Sequence, residues 1–262
     1  MLYSRLKRWT QRRKQEVAPR VPDGMRIYAI GDIHGRLDLF EALLARIDAD
    51  NAGRPPADVR LILLGDLIDR GPSSAGVIEK AMLLKRSSPA VSILMGNHEE
   101  VFLRAIEGDV RATRLLVRVG GRATLISYGF SEQEYQDLDY DGLTAQLAER
   151  VPAAHVAFIA KFEDVIELGD YVFVHAGIRP GVELAEQRVS DLRWIREEFL
   201  RHDGSHGCVI VHGHSISEEV DQRPNRIGID TGAFASGRLT AIALEGGERW
   251  FLQTGEAAVA AA

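Results

Sequence analysis

Five short apolar runs in this chain stop at the same kind of punctuation, a small turn residue set beside side chains that bind divalent metal ions. Ile30 leads into Gly31-Asp32-Ile33-His34-Gly35, Leu64 into Gly65-Asp66-Leu67-Ile68-Asp69-Arg70-Gly71, and Met95 into Gly96-Asn97-His98-Glu99. Val174 leads into His175-Ala176-Gly177, and Val211 into His212-Gly213-His214. Short apolar runs bounded in this way read as buried strands. In α/β sheets the loops beyond the carboxyl ends of the strands gather on one crevice, so residues far apart in sequence can meet there. Glycine beside the ligands allows tight turns and close backbone approach. One such piece alone also fits a turn with a capping aspartate, or a structural histidine. Five in succession, each after a strand pattern, constrain the chain to a sheet fold with its chemistry at the strand ends.

The rest of the pattern fills in that fold. Val21-Pro22-Asp23-Gly24 closes a leading arm, and Met25–Ile30 begins the first buried strand. Leu37, Phe40, Leu43, Leu44 and Ile47 recur at helical spacing as far as Gly53-Arg54-Pro55-Pro56, and residues 59–64 read as a second strand. Further apolar runs at 91–95, 171–174 and 208–211, with a helix over 73–86, continue a βαβ alternation and predict a layered α/β fold. From about 99 to 161 the spacing turns helical, with helices expected over 101–107, 110–119, 143–150 and 154–160, and is read as a helical insertion. Residues 162–168 with 171–174, and 239–244 with 248–252, are expected to form hairpins. A chain of 262 residues that is 45% hydrophobic can bury one large core. One domain over 25–255 is expected, with a basic arm over 1–24 and an alanine-rich tail over 256–262.

Charge and cysteine usage narrow the setting. The formal charge of -6 is uneven, because residues 1–24 carry seven Lys/Arg against two Asp/Glu and leave the body acidic. An acidic body argues against stable nucleic-acid binding. Leu2, Leu6 and Trp9 among the basic residues of the arm would allow weak contact with an anionic membrane surface, and the plainer reading is a solvated arm. No long apolar stretch follows, so neither a secretory signal nor a membrane span is expected. The single cysteine, Cys208, can form no intramolecular disulfide and no multi-thiolate zinc site, which fits the cytoplasm.

Asp32, His34, Asp66, Asn97, His175 and His214 offer oxygen and imidazole donors without thiolate. That set suits manganese, iron or zinc, with manganese expected first. Six donors are too many for one catalytic ion with open positions, but they fill two sites if Asp66 bridges. Two divalent ions can acidify a shared water for in-line attack on phosphorus.

The same blocks resemble the calcineurin-like metallophosphoesterases of the phosphoprotein-phosphatase type, and among them the small bacterial and phage-type serine/threonine phosphatases. Trp194-Ile195-Arg196 and Ile229-Asp230-Thr231-Gly232-Ala233 are similar to later blocks of those proteins. The resemblance spans roughly residues 26 to 245 and is loose in the helical middle. It implies two mixed sheets packed face to face, flanked by helices. Asp32, His34 and Asp66 would hold one ion, and Asp66, Asn97, His175 and His214 the second. Arg70 and Arg196 would bind phosphate, His98 would protonate the leaving oxygen, and Asp69 would orient His98. His212 and Asp230 are expected to be structural, and Glu99 and Arg36 to line the cleft. The implied activity is hydrolysis of a phosphorylated protein or small phosphoester. The alternative is symmetrical diadenosine tetraphosphate hydrolysis, and beyond it a non-catalytic phosphate-binding scaffold. Symmetrical hydrolases tend to lack the acidic residue before the Arg-Gly and the Glu after the Asn-His, so Asp69 and Glu99 favour the monoester.

Overall fold

The computed structural model describes residues 18–255. Leu2, Leu6 and Trp9 of the basic arm and the tail from residue 256 lie outside the described residues. The first half contains β1 (Met25–Ile30), α1 (Leu37–Ala52), β2 (Asp58–Leu63), α2 (Ser74–Ser87) and β3 (Val91–Ile93). Six helices follow, namely α3 (Asn97–Ile106), α4 (Val110–Val119), α5 (Arg122–Ser127), α6 (Glu132–Asp137), α7 (Tyr140–Arg150) and α8 (Ala153–Ile159). Next come β4 (Val165–Leu168), β5 (Tyr171–Val174), α9 (Val189–Trp194), α10 (Glu197–Leu200) and β6 (Val209–His212). The chain then forms β7 (Asp221–Gln222), β8 (Arg226–Gly228), α11 (Ala233–Ser236), β9 (Thr240–Glu245) and β10 (Glu248–Gln253).

The strands make two mixed five-stranded sheets, ordered β10-β9-β1-β2-β3 and β4-β5-β6-β8-β7. Each has three parallel strands, β1-β2-β3 in one and β5-β6-β8 in the other, with antiparallel strands beside them. Successive side chains of a strand point to opposite faces, and the burial follows that period. Ile27 and Ala29 of β1 meet Phe173, Val211 and Ile227 between the sheets. Tyr28 and Ile30 turn outward onto Phe40, Leu43, Val77 and Ile78 of α1 and α2. Val172 and Val174 of β5 pack outward with Leu192 and Phe199. This is the expected α/β sandwich, with three apolar layers on and between two sheets.

Several boundaries differ from the sequence reading, each for a local reason. The run at 162–168 yields a strand only from Val165, because Glu163 is used earlier. Its N–H donates to the Ile93 carbonyl at 2.9 Å, and its carbonyl accepts from Met95 N–H at 2.7 Å, tying the edge of β3 to the approach to β4. Apolar residues recur at helical spacing over 192–200, yet the chain breaks there between α9 and α10, where Arg196 adopts φ -133, ψ -100. Helices α5 and α6 were not expected. The second buries none of its six residues and so shows no apolar period, although Ser131 and Glu134 form a capping box that the sequence could have revealed. Val21, assigned to the arm, is buried between the sheets and donates its N–H to Gly246. No helix among the described residues is long and apolar enough to cross a membrane.

One charged side chain sits inside this framework. Arg26, in a strand that reads as apolar, is fully buried. Its guanidinium forms a two-point pair with Glu245 at 2.9 and 3.0 Å and donates to Asn51 Oδ1 and the Pro55 carbonyl at 2.6 and 2.8 Å. It thereby joins β1, β9 and the end of α1. Arg26→Met strands three acceptors and should lower stability by ~2–3 kcal/mol in urea unfolding. An unchanged midpoint would show that the cluster contributes nothing net.

Candidate metal centre

The parallel strands aim their carboxyl ends at one place. Ile33 and His34 donate their N–H groups to the Asp66 carbonyl at 3.1 and 2.9 Å, and Gly35 donates to Leu67 at 2.8 Å. Gly213 donates to His175 at 2.8 Å, which links the loops of the second sheet in the same way. The turns are sharp enough to force unusual backbone. Among the described residues, the non-glycine residues with positive φ are His34 (46°), Asp66 (50°), Asp69 (71°), Arg70 (68°) and His214 (63°). Left-handed backbone costs a non-glycine residue roughly 1–2 kcal/mol, so the surroundings must hold it.

Glu99 supplies much of that hold. Its Oε2 accepts the N–H groups of Asp66 (2.8 Å) and Gly96 (3.1 Å), and its Oε1 those of Leu67 (2.8 Å) and Ile68 (3.3 Å). Burial, with the Asp66 charge, pushes its pKa up to about 7 against the pull of these N–H groups. Glu99 therefore does not line the cleft as expected; it is fully buried beneath the Asp66 loop. Asn97 and His98 also differ from the loop positions expected for them, because they form the first turn of α3, from which the His98 N–H donates to Asp66 Oδ1 at 3.1 Å. Close approach explains two of the glycines. A Cβ at Gly96 would strike the Asp66 carboxylate, and one at Gly213 the Asp32 carboxylate.

Asp66 stands between two groups of donors. His34, Asp66 and His98 present ligand-type atoms within 4.8 Å of one another, and so do Asp66, His175 and His214. The imidazoles are set for coordination. Nδ1 of His34 donates to the Ile68 carbonyl and Nδ1 of His175 to the Leu64 carbonyl, both at 2.8 Å, which leaves each Nε2 lone pair facing inward. Nε2 of His214 is buried without a hydrogen-bond partner. Burial outweighs the attraction of Asp66 and lowers the pKa of His34 to about 3; His175 and His214 are lowered for the same first reason. Neutral rings are what a cation needs. Asp66 is pushed up by burial but pulled below its ordinary range by His175, His98, His34 and His214. Asn97 joins the second group, with Oδ1 3.1 Å from His175 Nε2. Asp32 belongs to neither tight group; its carboxylate accepts the His214 N–H at 3.0 and 3.2 Å, and its pKa is raised by burial and by Asp230 and Asp66. Two inward-facing lone pairs, an unpartnered buried ring nitrogen and a shared carboxylate fit divalent ions.

Beside these groups lies a separate chain of contacts. His98 Nδ1 is 2.6 Å from Asp69 Oδ2. Burial opposes a charged ring, but Asp66 and Asp69 outweigh it and raise the pKa of His98 to about 9. Arg70 reaches His34 Nε2 at 2.9 Å and His98 Nε2 at 3.2 Å. Its guanidinium lies over the Phe234 ring, 4.7 Å from the centroid. Arg196 is exposed at the break between α9 and α10, and its charge helps keep His175 and His214 neutral. His212 packs edge-on against Phe199, outside both groups. Asp230, expected to be structural, follows β8 as the other acids follow their strands. It is buried, its Oδ2 has no partner, and burial first, with Asp66, raises it to about 6. Phe234 was missed, since a lone aromatic after a turn carries no signal. A cleft of about 680 Å³ opens beside Arg70, walled by Arg36, Glu41, Pro72 and Phe234.

Two packed mixed sheets with histidines and carboxylates converging at their strand ends define a metal-dependent phosphoester hydrolase. The profile of calcineurin-like phosphoesterases matches residues 25–238, and the chain belongs to that family. It is 33% identical over 187 residues to a symmetrical bis(5'-nucleosyl)-tetraphosphatase of Acidovorax sp. (strain JS42), covering 71% of this chain and 52% of the relative. The chain thus spans about half the length of that relative. An asymmetrical bis(5'-nucleosyl)-tetraphosphatase, PrpE, of Anoxybacillus flavithermus is 26% identical over 232 residues, covering 81% of this chain and 88% of that one. Among solved structures, one provisionally assigned as a diadenosine tetraphosphatase superposes with a TM-score of 0.61 at 21% identity, over 90% of this chain and 98% of the other. The Acidovorax and Anoxybacillus relatives are both tetraphosphatases, the alternative activity named in the sequence analysis.

The clamp is testable apart from substrate. Glu99→Gln replaces one acceptor oxygen by a donor facing N–H groups and should weaken divalent-metal binding by roughly tenfold or more, read by calorimetric titration with manganese. Unaltered affinity would mean that the Asp66 loop holds its shape without the clamp.

Proposed function

We propose that the chain is a two-metal hydrolase of dinucleoside polyphosphates. The observation that carries this reading is the likeness to tetraphosphatases of both the symmetrical and the asymmetrical kind. The cleft beside Arg70, with Arg36 and Phe234 on its walls, supports it by offering room beyond the scissile phosphorus for a charged and planar group. Glu99 no longer speaks against it, because the residue is a backbone clamp with no access to substrate.

A second reading, hydrolysis of a phosphorylated serine or threonine, is favoured by the His98–Asp69 pair. A nucleotide leaves readily as its phosphate anion, whereas an alkoxide needs a proton. His98 is held protonated by two carboxylates at a site that would deliver one.

The metal-holding and phosphate-binding residues take the same roles in either case, while proton delivery by His98 matters chiefly for an alkoxide. Asp32, His34 and Asp66 would hold one ion, and Asp66, Asn97, His175 and His214 the other, with manganese the first candidate and iron or zinc next. Bound ions would supply Lewis acidity, an acidified water as nucleophile and neutralisation of phosphoryl charge. Arg70, braced by Phe234, and Arg196 on the opposite element bind phosphate oxygens through planar two-point donors. His98 passes the proton on its Nε2 to the leaving oxygen, and Asp69 on Nδ1 fixes the ring and favours the protonated form.

Asp66→Asn should cut turnover of p-nitrophenyl phosphate with manganese by ~100-fold or more, since both ions lose a shared ligand. Near-normal turnover by the purified variant would defeat the two-metal reading. Substrate class is decided by comparing kcat/KM for diadenosine tetraphosphate and a phosphoserine peptide. The dinucleotide is expected to be preferred by at least ~10-fold, about 1.4 kcal/mol in transition-state binding. The reverse preference would replace the first reading by the second.

A further inference from the structure

The helical segment between β3 and β4 reaches beneath the proposed proton-delivering pair. Asp69 has two carboxylate oxygens. Oδ2 faces His98 Nδ1 at 2.6 Å, and Oδ1 accepts the hydroxyl proton of Thr124, at the first turn of α5, at 2.5 Å. Thr124 Oγ1 in turn accepts the Asp69 N–H at 3.0 Å and lies 2.9 Å from Ser74 Oγ. A threonine hydroxyl has one proton, and the Asp69 carboxylate takes it. Ser74 must therefore donate to Thr124, and Ser74 Oγ accepts the Asp69 N–H at 3.0 Å. The direction of every proton in this network is thus fixed. Asp69, Ser74 and Thr124 are all completely buried, so no water stands ready to replace a lost donor.

The same segment also holds the next residue. The Arg70 N–H donates to the Gly120 carbonyl at 3.0 Å, at the turn that ends α4. Asp69 and Arg70, both in left-handed backbone, are therefore clasped from two neighbouring points, the end of α4 and the first turn of α5.

We infer that Thr124 is a positioning residue for proton delivery: by holding Asp69 Oδ1 it sets the Asp69 carboxylate, and through it the His98 ring, toward the leaving oxygen. The inference rests on His98 being the acid. Thr124 touches neither substrate nor metal, so its loss should act on the leaving-group step and not on phosphate binding.

The test compares phenyl phosphate, whose phenoxide leaves poorly, with p-nitrophenyl phosphate, whose leaving group scarcely needs a proton. Manganese-loaded wild type, Thr124→Val, Thr124→Ser, Ser74→Ala and His98→Asn are used. His98→Asn reports on the acid itself. If it slows both esters equally, the acid role falls and the inference with it. If it slows phenyl phosphate selectively, the acid role stands and the other variants decide the inference. Thr124→Val, of equal size but without the donor, should then lower kcat on phenyl phosphate roughly tenfold or more with KM little changed, and lower it much less on p-nitrophenyl phosphate. Thr124→Ser, which restores the hydroxyl, should recover most of the rate. An equal loss on both esters, no loss on either, or no rescue by serine would overturn the inference. Should Thr124→Val fail to fold, Ser74→Ala decides: it frees the Thr124 hydroxyl to turn away from Asp69, so a selective loss of a few-fold on phenyl phosphate is expected, and an unaltered ratio between the esters overturns the proposal.

Discussion

The Glu99 carboxylate, sunk below the loop after β2, organises more of this protein than any other single group. It gathers four backbone N–H groups, three of them consecutive, and so dictates the path of the chain from Asp66 to Ile68. That path gives Asp66 its left-handed backbone and delivers its side chain between two sets of imidazoles. A buried carboxylate is costly without partners, and four N–H donors are what make this one tolerable. Because Glu99 stands in the first turn of α3 with Asn97 and His98, one helical turn fixes the clamp together with the proposed ligand and the proposed proton donor. The loop after β1 then follows, since Ile33, His34 and Gly35 hydrogen-bond to the very peptides Glu99 holds.

The sandwich makes such strain affordable. Ile27, Ala29, Phe173 and Val211 are fully buried between sheets whose parallel strands end at the site. Each large apolar side chain so buried contributes about 1.5–3 kcal/mol, against roughly 1–2 kcal/mol for each left-handed residue. The strain is confined to turns immediately beyond strands that cannot move, and this keeps donors from distant parts of the sequence in register.

How much could be read from sequence follows from which interactions are local. The strands, the long helices and the ligand blocks were legible because a two-residue or 3.6-residue period, and a glycine beside an acid, are written in consecutive residues. Glu99 was visible but its role was not, since a carboxylate bonding to peptides 31 to 33 residues away leaves no trace in spacing. The burial of Arg26 was not legible either, because its partner Glu245 is brought beside it only by the β1–β9 register. The break at Arg196 and the polar helix α6 escaped for the opposite reason: each is short, and neither buries enough apolar surface to impose a period.

Substrate choice was the least legible feature, and the geometry explains why. In the proposed roles, the candidate metal donors, Arg70 and the His98–Asp69 pair would all act on the phosphoryl group, which a monoester and a dinucleoside polyphosphate share. What differs is the group beyond phosphorus, and it would meet side chains from three separate stretches of chain: Arg36 and Glu41, Arg70, and Phe234. Within that cleft Arg36 is already paired with Asp38 at 2.7 Å, and Glu41 with Lys80 at 3.6 Å. The wall is therefore close to charge-neutral, and Arg70 is left as the group best placed to meet extra phosphate charge. In the proposed reading, a group reaching into this space would gain more from stacking on Phe234 than from further phosphates, which fits a nucleoside end better than a highly charged one.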